Sequence, residues 1–260
     1  MRIKLPTQYD VDCLPRNAAY YTGKERVAMK RLLVATSQGY CMYCGKILSS
    51  DKTESFQIEH SVDKAGNYNQ NSNALTNCKY NLAATCSLCN QIYKKRVEKL
   101  DFTKYQIPAK CPTICSQMCE EYKKMREDYC KENAIILQPQ GYADKTSTYE
   151  IGYNIFSHIY EADGGSYSPE ALFFIENHIA RFHLNGAMYS DNIIDICVEI
   201  CDFYEKGIRE TVNLLDIEKN RQQSNIIGKK FVDHLIECFT DENVEKLIDY
   251  CKMIVVLSVI

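Results

Sequence analysis

The sequence has no apolar stretch long enough to cross a membrane. The longest mostly apolar run is Met253–Ile260, far shorter than the roughly 20 residues that a transmembrane helix needs. The opening residues Met1–Pro6 contain no apolar core of a secretory signal. Tryptophan, fixed-period repeats and long low-complexity segments are also absent. We therefore expect a cytoplasmic protein that does not associate with a membrane.

The length and charge of the chain limit its organisation. Its 260 residues, 45% of them hydrophobic, are enough for one large domain or two small ones with a real core. The net charge of -3 hides an asymmetry, since residues 1–110 hold 17 Lys and Arg against 9 Asp and Glu, and residues 111–260 hold 14 against 25. A basic part beside an acidic one is typical of a nucleic-acid-binding module on an acidic scaffold. Ordinary charge variation between domains is the alternative.

Two of the cysteine pairs have the spacing of a metal site. The chain contains 14 cysteines, and Cys41-x2-Cys44 and Cys86-x2-Cys89 are its two x2 pairs. In the cytosol, cysteines are more often metal ligands or buried thiols than disulfides. Because x2 spacing lets both sulfurs of a pair reach one ion, we expect four thiolates to close a tetrahedral structural zinc site, with no open position for catalysis. Four buried thiols without zinc are the alternative.

The residues around these pairs predict a small ββα unit. A helix is expected at Glu25–Val34, after an irregular segment over residues 1–20. Beyond it we predict a knuckle at Cys41–Gly45, a strand at Phe56–His60, a loop at Ser61–Asn77, a short strand at Asn81–Thr85 and a helix from Ser87 to about Leu100. Gly45 would permit the tight turn of the knuckle.

After Pro108 the pattern becomes mainly helical, so the predicted fold class is α+β, mainly α. We divide the chain into residues 1–108, which contain the cysteine pairs, and an acidic helical domain over 109–260. Helices are predicted at Pro112–Asn133, Ser168–His183, Ser190–Lys206, Ile208 onward, Ile227–Phe239 and Glu242–Val256, with a connector at Gln138–Gly152. Ser168-Pro169-Glu170 is a helix start with a hydroxyl cap and proline at the first position.

Polar residues beside the cysteine pairs suggest a second site. Glu59 and His60 lie between the pairs, Asn81 lies five residues before Cys86, and Asn90 follows Cys89 directly. A divalent cation can neutralise a phosphodiester and stabilise its leaving oxygen, and carboxylate and amide oxygens suit Mg²⁺ or Mn²⁺. A neutral imidazole can take a proton from water at neutral pH. His60 as a simple hydrogen-bonding group and Asn90 as a helix cap are the alternatives.

The pattern over residues 41–96 resembles the HNH family of endonucleases, also called ββα-metal nucleases. It comprises Cys-x2-Cys, then Ile58-Glu59-His60, then Asn81-Leu82-x3-Cys86-x2-Cys89-Asn90. The resemblance implies that residues 1–108 form a zinc-stapled nuclease domain. In it, His60 would be the general base, Asn81 would orient it, and Glu59 and Asn90 would hold the catalytic Mg²⁺ or Mn²⁺. The implied reaction is hydrolysis of phosphodiester bonds in DNA, leaving 5′-phosphate and 3′-hydroxyl ends.

Two positions depart from the family pattern. The family usually has Asp where this chain has Glu59, although Ile-Glu-His occurs in one branch. The family also often has Lys three residues after the last motif residue, and here that position is Tyr93. The next residues are basic, so we expect Lys94, Lys95 and Arg96 to contact nucleic-acid phosphates. A solvated helix face is the alternative for this run.

An early Ile-Glu-His motif followed by a helical region is similar to the nuclease subunits of bacterial ATPase–nuclease anti-phage systems such as Septu, and similar nucleases accompany some retrons. This resemblance implies that residues 109–260 bind a protein partner, such as an ATPase or another defence-system subunit, and regulate the nuclease. Two other functions stay open: a non-catalytic zinc-ribbon module that binds nucleic acid, and a nuclease that cleaves RNA.

Overall fold

The structure, a computed structural model, is mainly helical with three small antiparallel sheets in the part of the chain that it describes, which confirms the predicted α+β, mainly α class. It describes residues 1–14, 23–50, 53–54, 56–62, 72–94, 101, 104–106, 118–139, 149–220 and 224–259. The strands are β1 (Arg2–Leu5), β2 (Ser49–Ser50), β3 (Thr53–Glu54), β4 (Phe56–His60), β5 (Leu82–Cys86), β6 (Ile151–Asn154) and β7 (Ile159–Ala162).

The helices are α1 (Gly23–Thr36), α2 (Ser72–Asn77), α3 (Glu120–Asn133), α4 (Pro169–Arg181), α5 (Ala187–Glu205), α6 (Thr211–Asn220), α7 (Ile226–Cys238) and α8 (Val244–Leu257). Short 3₁₀ turns occur at Lys79–Asn81 and Asp241–Asn243, and a π-helix occupies Cys89–Tyr93. Within the described part of the chain, no helix is both long and apolar enough to cross a membrane.

The hairpin β4–β5 forms where the sequence predicts two strands. Its register pairs Phe56 with Cys86 and His60 with Leu82. The first strand has the predicted bounds and the second is shifted by one residue. The predicted loop over Ser61–Asn77 is partly wrong, because its last six residues form α2. The helix predicted after Ser87 begins there but continues as the π-helix, and residues 95–100 lie outside the described residues.

The helix predictions after Pro108 hold over the described segments, except at some ends. α3 ends at Asn133 as predicted, but residues 112–117 of that predicted helix lie outside the described residues. The Ser168 side chain accepts a hydrogen bond from the Ala171 backbone N–H, with Pro169 at the first helical position, as its sequence predicts. A similar cap begins α7, where the Asn225 side chain accepts from the Gly228 backbone N–H at 2.9 Å.

A three-stranded antiparallel sheet of order β1-β6-β7 is missing from the sequence prediction. Residues 1–20 were expected to be irregular, and β6 begins inside the predicted connector Gln138–Gly152. The first strand alternates, with Ile3 and Leu5 buried and its two basic residues exposed. This sheet connects the two predicted domains, because β1 belongs to residues 1–108 and pairs with β6 of residues 109–260.

The cysteine knuckle packs directly against the C-terminal helices. The Ile226 backbone N–H donates to the Gly45 carbonyl at 2.8 Å, and the Ile47 N–H donates to the Ser224 carbonyl at 2.9 Å. The Tyr43 ring packs against the Phe182 ring with 4.8 Å between centroids. The buried apolar cluster is therefore continuous across position 108, where the sequence predicts a domain boundary.

Gly45 makes this contact possible. Its φ is +72°, and a Cβ there would lie 2.6 Å from Ile226 Cγ2. A side chain at this position would meet both left-handed backbone strain and a packed neighbour. Gly39 has a similar φ of +85°, but a Cβ there would have nothing within 4 Å. The two glycines therefore differ in packing and share the same backbone requirement.

We expect Gly45→Ala to lower the free energy of unfolding by about 2–4 kcal/mol, the sum of backbone strain and overpacking. Gly39→Ala serves as the matched control and is expected to cost only the strain, about 1–2 kcal/mol. Urea denaturation of both variants with zinc present measures the difference. Equal losses of unfolding free energy in the two variants would show that Gly45 is not closely packed against Ile226 of α7.

Candidate zinc centre and acid–histidine site

Four cysteines from two separate segments meet in the core. Cys41 and Cys44 belong to the knuckle, Cys86 ends β5, and Cys89 begins the π-helix; all four are buried. Their sulfur atoms lie within 4.8 Å of one another. The 3.9 Å between the sulfurs of Cys44 and Cys86 is close to the roughly 3.8 Å expected across a tetrahedral site with Zn–S bonds of about 2.3 Å. The quartet is thus compatible with a structural zinc ion.

Backbone hydrogen bonds hold the quartet in place. The Cys41 N–H donates to the Lys46 carbonyl at 2.7 Å and the Gly45 N–H donates to the Cys41 carbonyl at 2.8 Å, which closes the knuckle. The Met42 N–H donates to the Ala84 carbonyl at 2.9 Å, which fixes the knuckle to β5. The sulfurs are therefore gathered by the backbone as well as by any bound ion.

Close contact among the sulfurs shifts the pKa values of three of the four thiols in different directions. Burial raises the pKa of Cys41, and hydrogen bonding with the Cys41 thiol raises the pKa of Cys89. Hydrogen bonding with Cys41 and Cys44 lowers the pKa of Cys86. A zinc ion would replace the thiol protons with bonds to four thiolates.

We expect the purified chain to contain one zinc ion per molecule, and Cys86→Ser to lose it and to unfold at a lower temperature. Cys13→Ser is the matched control, because Cys13 is exposed and lies outside the quartet. Metal content by plasma mass spectrometry and thermal unfolding are measured side by side. Full zinc retention in Cys86→Ser would show that the quartet is not the zinc site.

Glu59 is buried between two donors on one side of the hairpin. Its side chain is 1% exposed, and the Tyr43 hydroxyl donates to its Oε2 at 3.1 Å. The Lys94 ammonium forms an ion pair with Oε1 and donates to the His60 carbonyl oxygen at 2.7 Å. Burial, with the negative charge of Glu59 beside it, raises the pKa of the Tyr43 hydroxyl, which keeps it a donor. The carboxylate is therefore neutralised and oriented by the protein itself.

Asn90 lies on the same side of β4 as Glu59. Its Nδ2 donates to Gln57 Oε1 at 2.7 Å, and Gln57 shares a strand face with Glu59 because side chains alternate along a strand. Asn90 and Lys94 are four residues apart on one helical segment. Their partners on β4, Gln57 and Glu59, are two residues apart. Asn90 therefore meets β4 at Gln57, two residues before Glu59.

His60 faces away from this group. Its Nε2 lies 3.2 Å from the Thr76 carbonyl oxygen of α2, on the strand face opposite to Glu59. Since a carbonyl oxygen can only accept, Nε2 carries the hydrogen, and Nδ1 is the ring nitrogen that can accept a proton. The side chain is 6% exposed. The contact with α2 fixes both the ring orientation and the tautomer.

Asn81 makes four side-chain hydrogen bonds in the core, around the segment that follows His60. Its Oδ1 accepts from the Val62 N–H and the Tyr122 hydroxyl, each at 2.7 Å. Its Nδ2 donates to the Val62 carbonyl at 3.1 Å and the Leu75 carbonyl at 2.9 Å. The resemblance to the HNH family implies that Asn81 orients His60. In the structure it ties the chain just after His60 to α2, whose Thr76 contacts the ring.

The expected consequence of Asn81→Ala is a loss of about 2–4 kcal/mol of unfolding free energy, because it leaves several buried backbone and hydroxyl groups without partners. Asn177→Ala is the control: that amide bonds the Phe173 carbonyl at the surface of α4, so its loss should cost about 0.5 kcal/mol or less. Chemical denaturation compares the two. A cost for Asn81→Ala no greater than the control's would contradict its role in the core.

The basic run after the quartet is only partly described. Lys94 is 2% exposed, with its ammonium on Glu59, so it does not present its charge to solvent. Lys95 and Arg96 lie outside the described residues, and their predicted phosphate contact stays a prediction. Tyr43 and Gln57, which contact Glu59 and Asn90, are not among the site residues predicted from the sequence. The alternation of β4 could have identified Gln57, which lies two residues before Glu59.

Comparison with known proteins gives no relative for this chain: no family model, curated protein or solved structure matches it. Within the site, the clustered quartet is compatible with zinc.

Proposed function

We propose that the protein is a metal-dependent endonuclease of the HNH type that hydrolyses phosphodiester bonds in DNA. The observation that carries the proposal is the hairpin β4–β5, which ends in the acid–histidine pair and is fastened at its other end to the cysteine quartet. Asn90, next to the last cysteine, borders the same side of β4 as Glu59. This is the order of residues that the resemblance to the HNH family requires.

The donor set suits a hard divalent cation. Glu59 offers a carboxylate oxygen, and Asn90 keeps its amide oxygen outside its bond to Gln57. Bound Mg²⁺ or Mn²⁺ would supply charge neutralisation for the phosphate and for the leaving 3′ oxygen. Such binding would take over the place on Glu59 that the Lys94 ammonium holds in this structure. The donors thus fit a divalent cation, which would compete with the Lys94 ammonium for Glu59.

In this proposal His60 acts as the general base. Its Nε2 hydrogen is engaged by Thr76, so Nδ1 accepts the proton from the attacking water. Because the His60 ring lies on the strand face opposite to Glu59, the proposal requires the scissile phosphate to sit at the end of β4, where the two residues adjoin. Asn81 and α2 keep the ring in that orientation, which lowers the cost of aligning it in each catalytic cycle. Lys94 would be free to meet the phosphate once Glu59 binds a metal ion, consistent with the phosphate role expected for Lys94, Lys95 and Arg96.

One observation favours a second function, a non-catalytic zinc-ribbon module that binds nucleic acid. The buried pair of Glu59 and Lys94 satisfies the carboxylate without any metal, so the acid has a structural role that requires no catalysis. This module would share the zinc ion and the basic charge of residues 1–110 with the nuclease. The two functions differ in whether His60 matters for phosphodiester cleavage.

The proposal extends to the setting of the protein. We propose that the acidic residues 109–260 bind a protein partner, such as the ATPase of an anti-phage system, which positions or restrains the nuclease. Exposed apolar side chains on this part of the chain supply a surface for such contact, among them Phe173 on α4 and Val256 on α8. RNA remains the alternative substrate to DNA.

Supercoiled plasmid incubated with the protein and Mg²⁺ or Mn²⁺ should be nicked, and His60→Ala should slow nicking by about 10²–10⁴-fold, the usual contribution of a general base. His234→Ala, which changes a histidine on α7 far from the quartet in sequence, is the control and should cut normally. Zinc content is measured in both variants to exclude unfolding.

Unchanged nicking by His60→Ala would remove the proposed base. Binding of DNA without cleavage under either metal, with zinc present, would favour the zinc-ribbon module. Cleavage of an RNA of the same sequence in place of DNA would assign the site to the RNA-cleaving alternative.

A further inference from the structure

A groove beside the hairpin is lined by three cations. Arg26, Lys30 and Arg31 of α1 line it together with Val27, Val34 and, from β4, Phe56. The groove therefore combines three cationic side chains with apolar ones.

The burial pattern of α1 creates this arrangement. Met29 and Leu33, four residues apart, are buried in the core, which fixes how the helix is rotated. Val27, Arg31 and Val34 follow the spacing i, i+4 and i+7, which places them along one stripe that lines the groove. The rotation imposed by the core thus holds the cations at the groove.

One of the cations is held against the groove floor. The Lys30 ammonium lies 4.8 Å from the centroid of the Phe56 ring, within the range of a cation–π contact. The Phe56 ring is 7% exposed, so it supports the lysine and is not itself a stacking platform for bases. The groove consequently offers charge to a ligand without an aromatic stacking platform.

The groove lies on the hairpin face that carries His60. Phe56 begins β4 and His60 ends it, and their separation of four residues puts them on the same strand face. At about 3.3 Å per residue, they are roughly 13 Å apart along the strand. Arg26 and Arg31 are separated by about 7.5 Å along the axis of α1, which corresponds to about two nucleotide steps of 3.4 Å.

We propose that this groove binds the phosphate backbone of a DNA duplex a few nucleotides away from the bond held at His60. The three cations neutralise nearby phosphates, and contacts to phosphates carry no information about base sequence. Its role in leading DNA to His60 rests on the proposed nuclease function. Its binding of DNA does not, because a non-catalytic module would use the same groove.

The test compares two triple variants of the full chain. Arg26→Gln, Lys30→Gln and Arg31→Gln together remove the groove cations while keeping good helix formers at exposed or half-buried sites. The matched control carries Lys123→Gln, Lys124→Gln and Lys131→Gln, which remove the same charge from exposed positions of another 14-residue helix, α3. Fluorescence anisotropy measures the affinity of each for a short labelled DNA duplex, with zinc bound and no Mg²⁺ added.

The groove variant should bind DNA at least about tenfold more weakly, and its log–log slope of affinity against salt should be smaller by about 2–3, at about 0.9 per phosphate contact. The control should keep the slope of the unmodified chain. The single variants Arg26→Gln and Arg31→Gln, each expected to lower the slope by about one, provide the answer if the triple variant folds poorly.

Equal weakening by both triple variants, or no change in the slope for the groove variant, overturns the proposal. So does a groove variant that loses affinity for an RNA duplex and keeps it for DNA. Failure of the nuclease function gives a different result: binding that depends on the groove, with no plasmid nicking by the unmodified chain. Nicking that proceeds at the normal rate in the groove variant counts against the groove and not against the nuclease.

Discussion

The arrangement of the site depends on the convergence of four sulfur atoms from two distant pieces of chain. Cys41 and Cys44 bring the knuckle, while Cys86 and Cys89 bring the end of β5 and the first turn of the π-helix. With zinc bound, this crosslink would fix the start of β4, opposite Cys86, against the knuckle. His60 and Glu59 then stand on a strand whose register the crosslink would fix, and a one-residue slip would turn both side chains to the opposite faces.

The carboxylate of Glu59 can pair with only one cation at a time, either the Lys94 ammonium seen in this structure or a bound metal ion. Removing one member of such a pair typically costs 3–5 kcal/mol, roughly, because the other charge is left without compensation in the core. If a metal cation were to bind Glu59, the Lys94 ammonium would therefore need another negatively charged partner. The phosphate of a bound nucleic acid is one acceptor of suitable charge, so binding of metal and of substrate would favour each other.

Features set by local spacing could be predicted from the sequence, and features set by distant pairing could not. The x2 pairs, the strand at Phe56–His60 and the cap at Ser168 depend on a few neighbouring residues, and the structure agrees with each of them. The sheet β1-β6-β7 was missed because four-residue strands carry little pattern and their partners lie far apart in the chain. The burial of Lys94 was missed for a related reason: a basic run ordinarily indicates a solvated face, and only the packing along β4 turns this lysine inward.

The π-helix changes how motif spacing should be counted here. The Lys94 backbone N–H donates to the Cys89 carbonyl, five residues earlier, whereas an α-helix would close this turn one residue sooner. A wider turn acts as a one-residue insertion, so Lys94 reaches the angular position that its predecessor would occupy in an ordinary helix. Tyr93 is released to pack on His183, with 4.7 Å between ring centroids. Lys94 follows by one residue the position where the HNH pattern often has lysine, but the π-helix gives it the same angular position around the helix axis.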